Sequence, residues 1–248
     1  MTDPVAGSQV SAPRGFLGAL ITPTAHRARI IWAAAVGIIA VVVFGLVIRS
    51  SNFDFAVVQF FNGFHQGAVG ALMDAVYKFL GPGPAIVGTV VLTGICVALT
   101  RNLRVASTFA ATIAATWLSL AVVKLIVHRV RPDSALLPFP FNPAQIDASY
   151  PSGHAAFVTA LMVTIVLGVA AGRGRWLAGI IGGLFILAVG TALVVDGVHF
   201  PSDIVASIVW GVVIAPLARM IWVSVVLIGI DVVRSRRHNA TGRRRPRH

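Results

Sequence analysis

Long uninterrupted runs of apolar residues dominate the chain and predict membrane-spanning helices. The first run, residues 30–48, contains 19 uncharged residues, which is just enough to cross a hydrocarbon core of about 30 Å. Five further runs are interpreted as spans: residues 84–100, 105–127, 155–171, 176–195 and 204–230. The pattern therefore predicts an all-α fold, a polytopic membrane helix bundle of about six transmembrane helices.

A shorter apolar segment, residues 67–80, differs from the spans because it carries Asp74 and Lys78 at i, i+4 spacing. Its remaining positions are apolar, and this combination predicts a helix that lies in the membrane interface. The predicted organisation is a cytoplasmic N-terminal segment at residues 1–29, a six-span membrane domain at residues 30–230 and a basic tail at residues 231–248.

The composition agrees with a membrane protein. The chain of 248 residues is 57% hydrophobic and 11% charged, with a mean hydropathy of +0.87, whereas soluble domains contain about 25% charged residues. These values exclude a soluble globular domain. The single cysteine, Cys96, falls in a predicted span, so a disulfide within one chain is excluded as well.

The distribution of Lys and Arg predicts the orientation of the bundle. With six spans, 14 of the 20 cationic residues fall on the side of the two termini and 5 on the other side, while Arg219 lies within the last run. The positive-inside rule then places both termini in the cytoplasm. We expect the basic tail to contact anionic lipid headgroups rather than nucleic acid. Frequent Ala, Val and Arg indicate a bacterium with a GC-rich genome, and hence its cytoplasmic membrane.

The end of the third predicted span, KLIVHRVRP, places two cations close to the outer face. Lys124 lies within an apolar span, where a charge is costly and marks a candidate functional site. If the helix continued to Arg131, both side chains would share one face about 10 Å apart along the axis. Such a pair suits a multiply charged anion. For Arg129 and His128 the simpler interpretation is that their side chains extend to the headgroups.

The stretch YPSGH begins the fourth predicted span. Ser152 can cap the helix, Gly153 allows close approach to the backbone, and His154 lies in the first turn. Free N–H groups at a helix start bind anions, so a phosphate there would lie beside a side chain that can donate a proton. The alternative is a capping turn with an incidental interfacial histidine.

The third stretch, HFPSD, precedes the sixth predicted span. Pro201 suits the first helical position, and Asp203 follows His199 by four residues, within reach of one ring nitrogen. A carboxylate on one nitrogen makes the other a better nucleophile. The alternatives are a helix-start motif with an unrelated histidine, or a metal site that includes His154. Because the neighbouring Lys and Arg would repel an ion, we predict an anion pocket without metal or other cofactor.

The three stretches KLIVHRVRP, PSGH and HFPSD resemble the signature motifs of the type 2 phosphatidic acid phosphatase superfamily. This superfamily includes integral-membrane lipid phosphatases and soluble vanadium haloperoxidases. The resemblance implies six helical spans, a metal-independent reaction and, in bacterial members, a site that faces outward. It also implies that Lys124 and Arg131 bind the phosphate, with help from the backbone near Ser152 and Gly153.

The same resemblance implies roles for the remaining site residues. His199 would attack phosphorus to form a phosphohistidine, and Asp203 would orient its ring. His154 would protonate the leaving oxygen and then activate water. The substrate would be a phosphorylated membrane lipid, such as phosphatidic acid, phosphatidylglycerol phosphate or a polyprenyl diphosphate.

One position departs from the family pattern. The third motif normally begins Ser-Arg, with the arginine six residues before the nucleophilic histidine, but this chain has Ala192 and Leu193 there. Losing a buried cation from the transition state costs several kcal/mol. Arg129 is a candidate substitute for it. Two alternatives to a lipid phosphatase stay open: a weakened member that binds or transports a phospholipid or polyprenyl phosphate, and an unrelated anion transporter or channel.

Overall fold

The computed structural model describes residues 17–230, and within this range it contains helices and connecting segments but no strand. The predicted basic tail and residues 1–16 of the N-terminal segment lie outside the described residues. The α-helices of the described range are α1 (Arg27–Ile48), α2 (Phe55–Asn62), α3 (Gly67–Phe79), α4 (Pro82–Thr100), α5 (Leu103–Val127), α6 (Gly153–Gly168), α7 (Arg173–Val195) and α8 (Pro201–Ile221).

The predicted helix bundle is confirmed. Five helices of the described range are long and apolar enough to cross a membrane, namely α1, α4, α5, α7 and α8, the last continuing through a π-helical turn to Ile230. The sixth, α6, is apolar but has only 16 residues, because Val169 adopts an extended conformation. It packs against α5, α7 and α8, so the shortest of the six predicted spans lies between longer ones.

The predicted interfacial segment forms α3, a separate helix that packs mainly against α7. Helix α2 was not predicted, because its eight residues, FAVVQFFN, are too few for a periodic signal. Its last residue, Asn62, is fully buried and donates from its amide nitrogen to the carbonyl oxygens of Phe139 and Val195, both at 2.9 Å. Asn62 therefore holds the long loop after α5 against the end of α7.

The conditional extension of α5 to Arg131 is wrong. The helix ends at Val127, and His128 has a left-handed backbone conformation with φ of 47°. The chain therefore turns before Arg131 instead of carrying it up the face of Lys124. Lys124 and Arg131 nevertheless come close together, because the turn brings both side chains to Asp147.

Arg219 lies deep in the last span without an anionic partner in the described residues. Its guanidinium donates to the carbonyl oxygens of Leu20 at 2.8 Å, Ala19 at 2.8 Å and Thr22 at 2.6 Å. These acceptors satisfy the charge. Arg219 therefore links α8 to the segment that precedes α1, and it needs no functional explanation.

Candidate active site

A cavity of about 280 Å³ opens where the end of α5, the start of α6 and the connection between α7 and α8 meet. Five of the seven predicted site residues line it: Lys124, Arg131, Gly153, His154 and His199. The other two, Ser152 and Asp203, are fully buried behind its wall. The structure thus brings together three motifs that are separated by up to 79 positions in the sequence.

The two cations converge on one carboxylate. Lys124 Nζ lies 3.1 Å from Asp147 Oδ2 and also donates to the carbonyl oxygen of Ala148 at 2.7 Å. Arg131 donates to Asp147 Oδ1 from Nε at 3.0 Å and from an Nη atom at 2.7 Å. Asp147 therefore occupies a position in which an anion bridges Lys124 and Arg131.

Asp147 belongs to the loop between α5 and α6, and its side chain is 59% exposed. Burial alone would raise the pKa of this carboxyl, but the charges of Arg131 and Lys124 outweigh that effect and hold the pKa below its usual range. The sequence analysis did not identify Asp147 as a site residue. No local pattern marks it, because it contacts Lys124 across 23 positions of the chain.

The first turn of α6 is built as predicted. Ser152 is the N-cap, and its side chain accepts from the N–H of Ala155 at 3.3 Å. Trp117 Nε1 donates to the carbonyl oxygen of Gly153 at 3.1 Å and so anchors this turn to α5. The N–H groups of Gly153 and His154 have no acceptor within the helix, since they belong to its first turn. They add positive potential to the cavity that already contains the two cations.

The ring of His154 packs against Tyr77 of α3, with ring centroids 4.4 Å apart and planes inclined by 30°. Its Nε2 atom is buried and has no hydrogen-bond partner in the described part of the chain. Tyr77 in turn donates from its hydroxyl to Gln145 Oε1 at 3.0 Å, and burial raises the pKa of this phenol. Ring stacking therefore holds the imidazole of His154 in place, and its Nε2 is an unpaired ring nitrogen in the described residues.

His199 is fully buried behind the cations. Its Nε2 lies 3.4 Å from an Nη atom of Arg131, and its Nδ1 lies 3.5 Å from Asp203 Oδ2. Burial lowers the pKa of this imidazole well below its ordinary value, and the nearby charges of Arg131 and Lys124 lower it further. In the neutral ring, a proton on Nδ1 would face Asp203 and leave the Nε2 lone pair on the side of the cations.

Arg129 lies behind His199, and neither sequence-based expectation for it is correct. The side chain is 1% exposed, so it does not extend to the headgroups, and it points away from the cavity. Its guanidinium donates to Asp203 Oδ1 at 2.9 Å, Ser202 Oγ at 2.7 Å and Asp54 Oδ1 at 3.0 Å. It also packs over the ring of Phe200. Arg129 therefore holds Asp203 in place and does not replace the missing family arginine.

Leu193 occupies the position of that arginine. It is fully buried in the apolar core that also contains Ala155, Val158 and Val189, and it does not line the cavity. Within the described residues, the cavity wall therefore has the two cationic side chains of Lys124 and Arg131 and no third one.

Comparison with known proteins bears on the family and the fold of the chain. The family model of the PAP2 superfamily matches residues 104–228, just over half of the chain. Among solved structures, the chain is similar to a transmembrane PAP2-type phosphatidylglycerolphosphate phosphatase from Bacillus subtilis, with 18% identity and a TM-score of 0.60. That match covers 73% of this chain and 93% of the other, and at this identity it concerns the fold. No curated protein matches the chain significantly.

Proposed function

The chain belongs to the PAP2 superfamily, and from this premise we propose that it is an integral-membrane lipid phosphatase that works through a phosphohistidine. Its substrate class is a lipid phosphomonoester or diphosphate, such as phosphatidic acid, phosphatidylglycerol phosphate or a polyprenyl diphosphate. One observation carries the proposal. Lys124 and Arg131 bridge a single carboxylate at the mouth of a cavity that also contains two histidines.

In the proposed reaction the substrate phosphate displaces Asp147 from the two cations. Nε2 of His199 attacks phosphorus and forms a P–N bond while the P–O bond to the lipid breaks. The developing charge is stabilised by Lys124, by Arg131 and by the N–H groups at the start of α6. When Asp147 leaves, Lys124 can keep its hydrogen bond to the carbonyl oxygen of Ala148 and Arg131 its hydrogen bond to that of Val198, which limits the reorganisation.

His154 supplies the proton that the leaving lipid oxygen needs and later accepts one from water. A bound phosphate dianion would attract a proton to this ring, which then protonates the leaving lipid oxygen from Nε2. In the second half, His154 takes a proton from water, the resulting nucleophile attacks the phosphohistidine, and free phosphate leaves with His199 restored. No step requires a metal ion, in keeping with the two cations that already face the phosphate.

For the location of this site, we propose the extracytoplasmic face of a bacterial cytoplasmic membrane, with both termini in the cytoplasm. The support is the excess of Lys and Arg on the terminal side. In a Cys96→Ala background, we expect Ala144→Cys, an exposed position in the loop that carries Asp147, to react in intact cells with a membrane-impermeant maleimide. Labelling that occurs only after cell lysis would contradict this orientation.

The direct test is phosphate release by purified protein in detergent against the three lipids named above. We expect release from at least one of them, with inhibition by vanadate, which mimics five-coordinate phosphorus. Absence of release from all three, in folded protein that binds no vanadate, would overturn the proposal.

A second candidate function rests on Leu193. Without the family arginine, the site has one cation fewer for transition-state charge, which favours a receptor or carrier that binds a phosphorylated lipid without cleaving it. Vanadate binding combined with no phosphate release would support this alternative. Because Leu193 is buried in the apolar core, restoring an arginine there would test folding as much as catalysis.

We predict that Asp147→Asn tightens anion binding. The variant keeps the size of the side chain but removes the charge that competes for Lys124 and Arg131. Each partly exposed pair is worth roughly 0.2–1 kcal/mol, so losing the two pairs should lower the vanadate inhibition constant and the KM by about two-fold to thirty-fold. Asp133→Asn is the control, because Asp133 caps a short turn in the same loop. A higher KM in Asp147→Asn would instead mean that Asp147 positions the cations.

A further inference from the structure

A second polar cluster lies outside the active-site cavity and has no part in the proposed reaction. It consists of His65, which follows α2, Asp74 of α3, and Asp196, which follows α7. His65 Nε2 lies 3.1 Å from Asp74 Oδ1 and 3.3 Å from Asp196 Oδ1. One ring nitrogen thus faces two carboxylates that come from different helices.

The other ring nitrogen fixes how His65 can act. Nδ1 lies 2.7 Å from the carbonyl oxygen of Phe139, which is only an acceptor, so Nδ1 carries a proton. In the neutral ring, Nε2 then presents a lone pair to two carboxylate oxygens. An imidazole that donates one N–H to a backbone carbonyl and turns its other nitrogen towards carboxylates has the arrangement typical of a metal ligand.

Asp196 is a second, independent sign of a missing partner. Its side chain is 0% exposed, and neither carboxylate oxygen has a hydrogen-bond partner in the part of the chain that the structure describes. The 3.3 Å approach to His65 therefore lacks hydrogen-bond geometry. A buried carboxylate without a partner is costly, and a cation between Asp196 and His65 would remove that cost.

We propose that His65, Asp74 and Asp196 bind a divalent transition-metal ion, with Zn²⁺ the best match. Tetrahedral Zn²⁺ with ligands at about 2.0 Å places its ligand atoms about 3.3 Å apart, close to the two separations from His65 Nε2. One imidazole and two carboxylates form a borderline donor set that suits Zn²⁺ better than Mg²⁺ or Ca²⁺. Asp74 is 30% exposed, so water can supply the fourth ligand and the ion can enter from that side.

Among the described residues, Lys78 is a neighbouring cation that competes with this ion. Its ammonium lies 3.4 Å from Asp74 Oδ2, the oxygen that does not face His65, and its side chain is 62% exposed. It therefore leaves the inner oxygen free and can move into solvent. Lys78→Met should leave Zn²⁺ binding intact or make it tighter.

The position of the cluster indicates what the ion would do. Asp74 precedes Tyr77 by one helical turn, and Asp196 precedes His199 by three residues. An ion held by both carboxylates would join the helix that packs on His154 to the segment that carries His199. It would thus be a structural tie between two walls of the cavity, and it takes no part in phosphate chemistry.

The experiment uses the full-length protein in detergent, equilibrated with Zn²⁺ and desalted. We expect about one tightly held Zn²⁺ per chain by elemental analysis, and a Zn²⁺-dependent rise in the unfolding temperature. Asp196→Asn and His65→Asn should lose both effects. His128→Asn and Asp133→Asn, which alter an exposed histidine and an exposed aspartate away from the cluster, should retain both.

Several outcomes would overturn the proposal. Wild-type protein that retains no more Zn²⁺ than Asp196→Asn would mean that a proton, shared among the three side chains, is the partner. Zn²⁺ that stays bound in both cluster variants would belong to another part of the chain. If those variants fail to fold, the wild-type protein can be loaded with Co²⁺ in place of Zn²⁺, since tetrahedral Co²⁺ absorbs strongly in the visible region. Absence of this absorption would reject the site. None of these readouts depends on phosphatase activity.

Discussion

His199→Ala should reduce phosphate release by about 10⁴-fold or more. The reason is that Nε2 of His199 is the nucleophile in the proposed reaction, and it lies 3.4 Å from the guanidinium of Arg131. Lys124 and Arg131 remain in the variant, so the substrate should still bind. We therefore expect the loss in kcat, with lipid affinity changed by less than about three-fold and vanadate affinity weakened, because vanadate mimics the transition state that includes Nε2.

The matched control is His128→Asn, which removes an exposed histidine from the turn after α5 and suits its left-handed backbone. It should keep full activity. A brief reaction with a lipid carrying labelled phosphate, quenched in alkali, should leave label on the wild-type protein and none on His199→Ala. Activity of the alanine variant within ten-fold of wild type would reject a phosphohistidine at this position.

The helix bundle could be predicted because hydropathy is a local property. Each long apolar run must satisfy its own backbone hydrogen bonds in lipid, so length and composition suffice to predict a helix. The same logic fails for α2, which is too short to show a pattern, and for the end of α6, where Val169 leaves the helix within a run that stays apolar. Boundaries depend on backbone conformation, which hydropathy does not determine.

Parts of the candidate site were predictable for a similar reason. Ser152 caps α6, and Asp203 lies in the first turn of α8, four residues after His199, so both contacts join residues that are close in sequence. Asp147 and Tyr77 were not predictable. Their contacts with the motifs join distant parts of the chain, and they exist only because the loop after α5 and helix α3 fold over the cavity.

The Arg129 network shows most clearly what tertiary packing adds. In the sequence, Arg129 is one of several cations near a membrane surface, and the expected environment for it is solvent or headgroups. In the structure it is buried with Asp54 and Asp203, which lie 75 positions before it and 74 after it. Neither carboxylate is near Arg129 in sequence, so no rule based on residue spacing could predict its ion pairs with Asp54 and Asp203.

Arg129→Met should lower the free energy of unfolding by about 3–5 kcal/mol, because removing one partner from a buried ion-pair network leaves uncompensated charge. Asp54 would keep Ser202 as a donor, from both its N–H and its hydroxyl. Asp203 would keep the N–H of Phe200. Two buried carboxylates would nevertheless share no cation. Chemical denaturation in detergent measures the change, with Arg49→Met, an exposed arginine at the end of α1, as the control.

A double variant separates charge from packing. If the cost comes from unpaired charge, Asp54→Asn should destabilise the protein less in the Arg129→Met background than in the wild type, with a coupling of roughly 0.5–3 kcal/mol. If the cost comes from lost packing over Phe200, the two substitutions should add. Arg129→Lys retains charge but lacks the planar fork that contacts Asp54 and Asp203 together, so it should fall between the wild type and Arg129→Met. A loss in Arg129→Met no larger than that in Arg49→Met would show that neither contribution holds Asp203 behind His199.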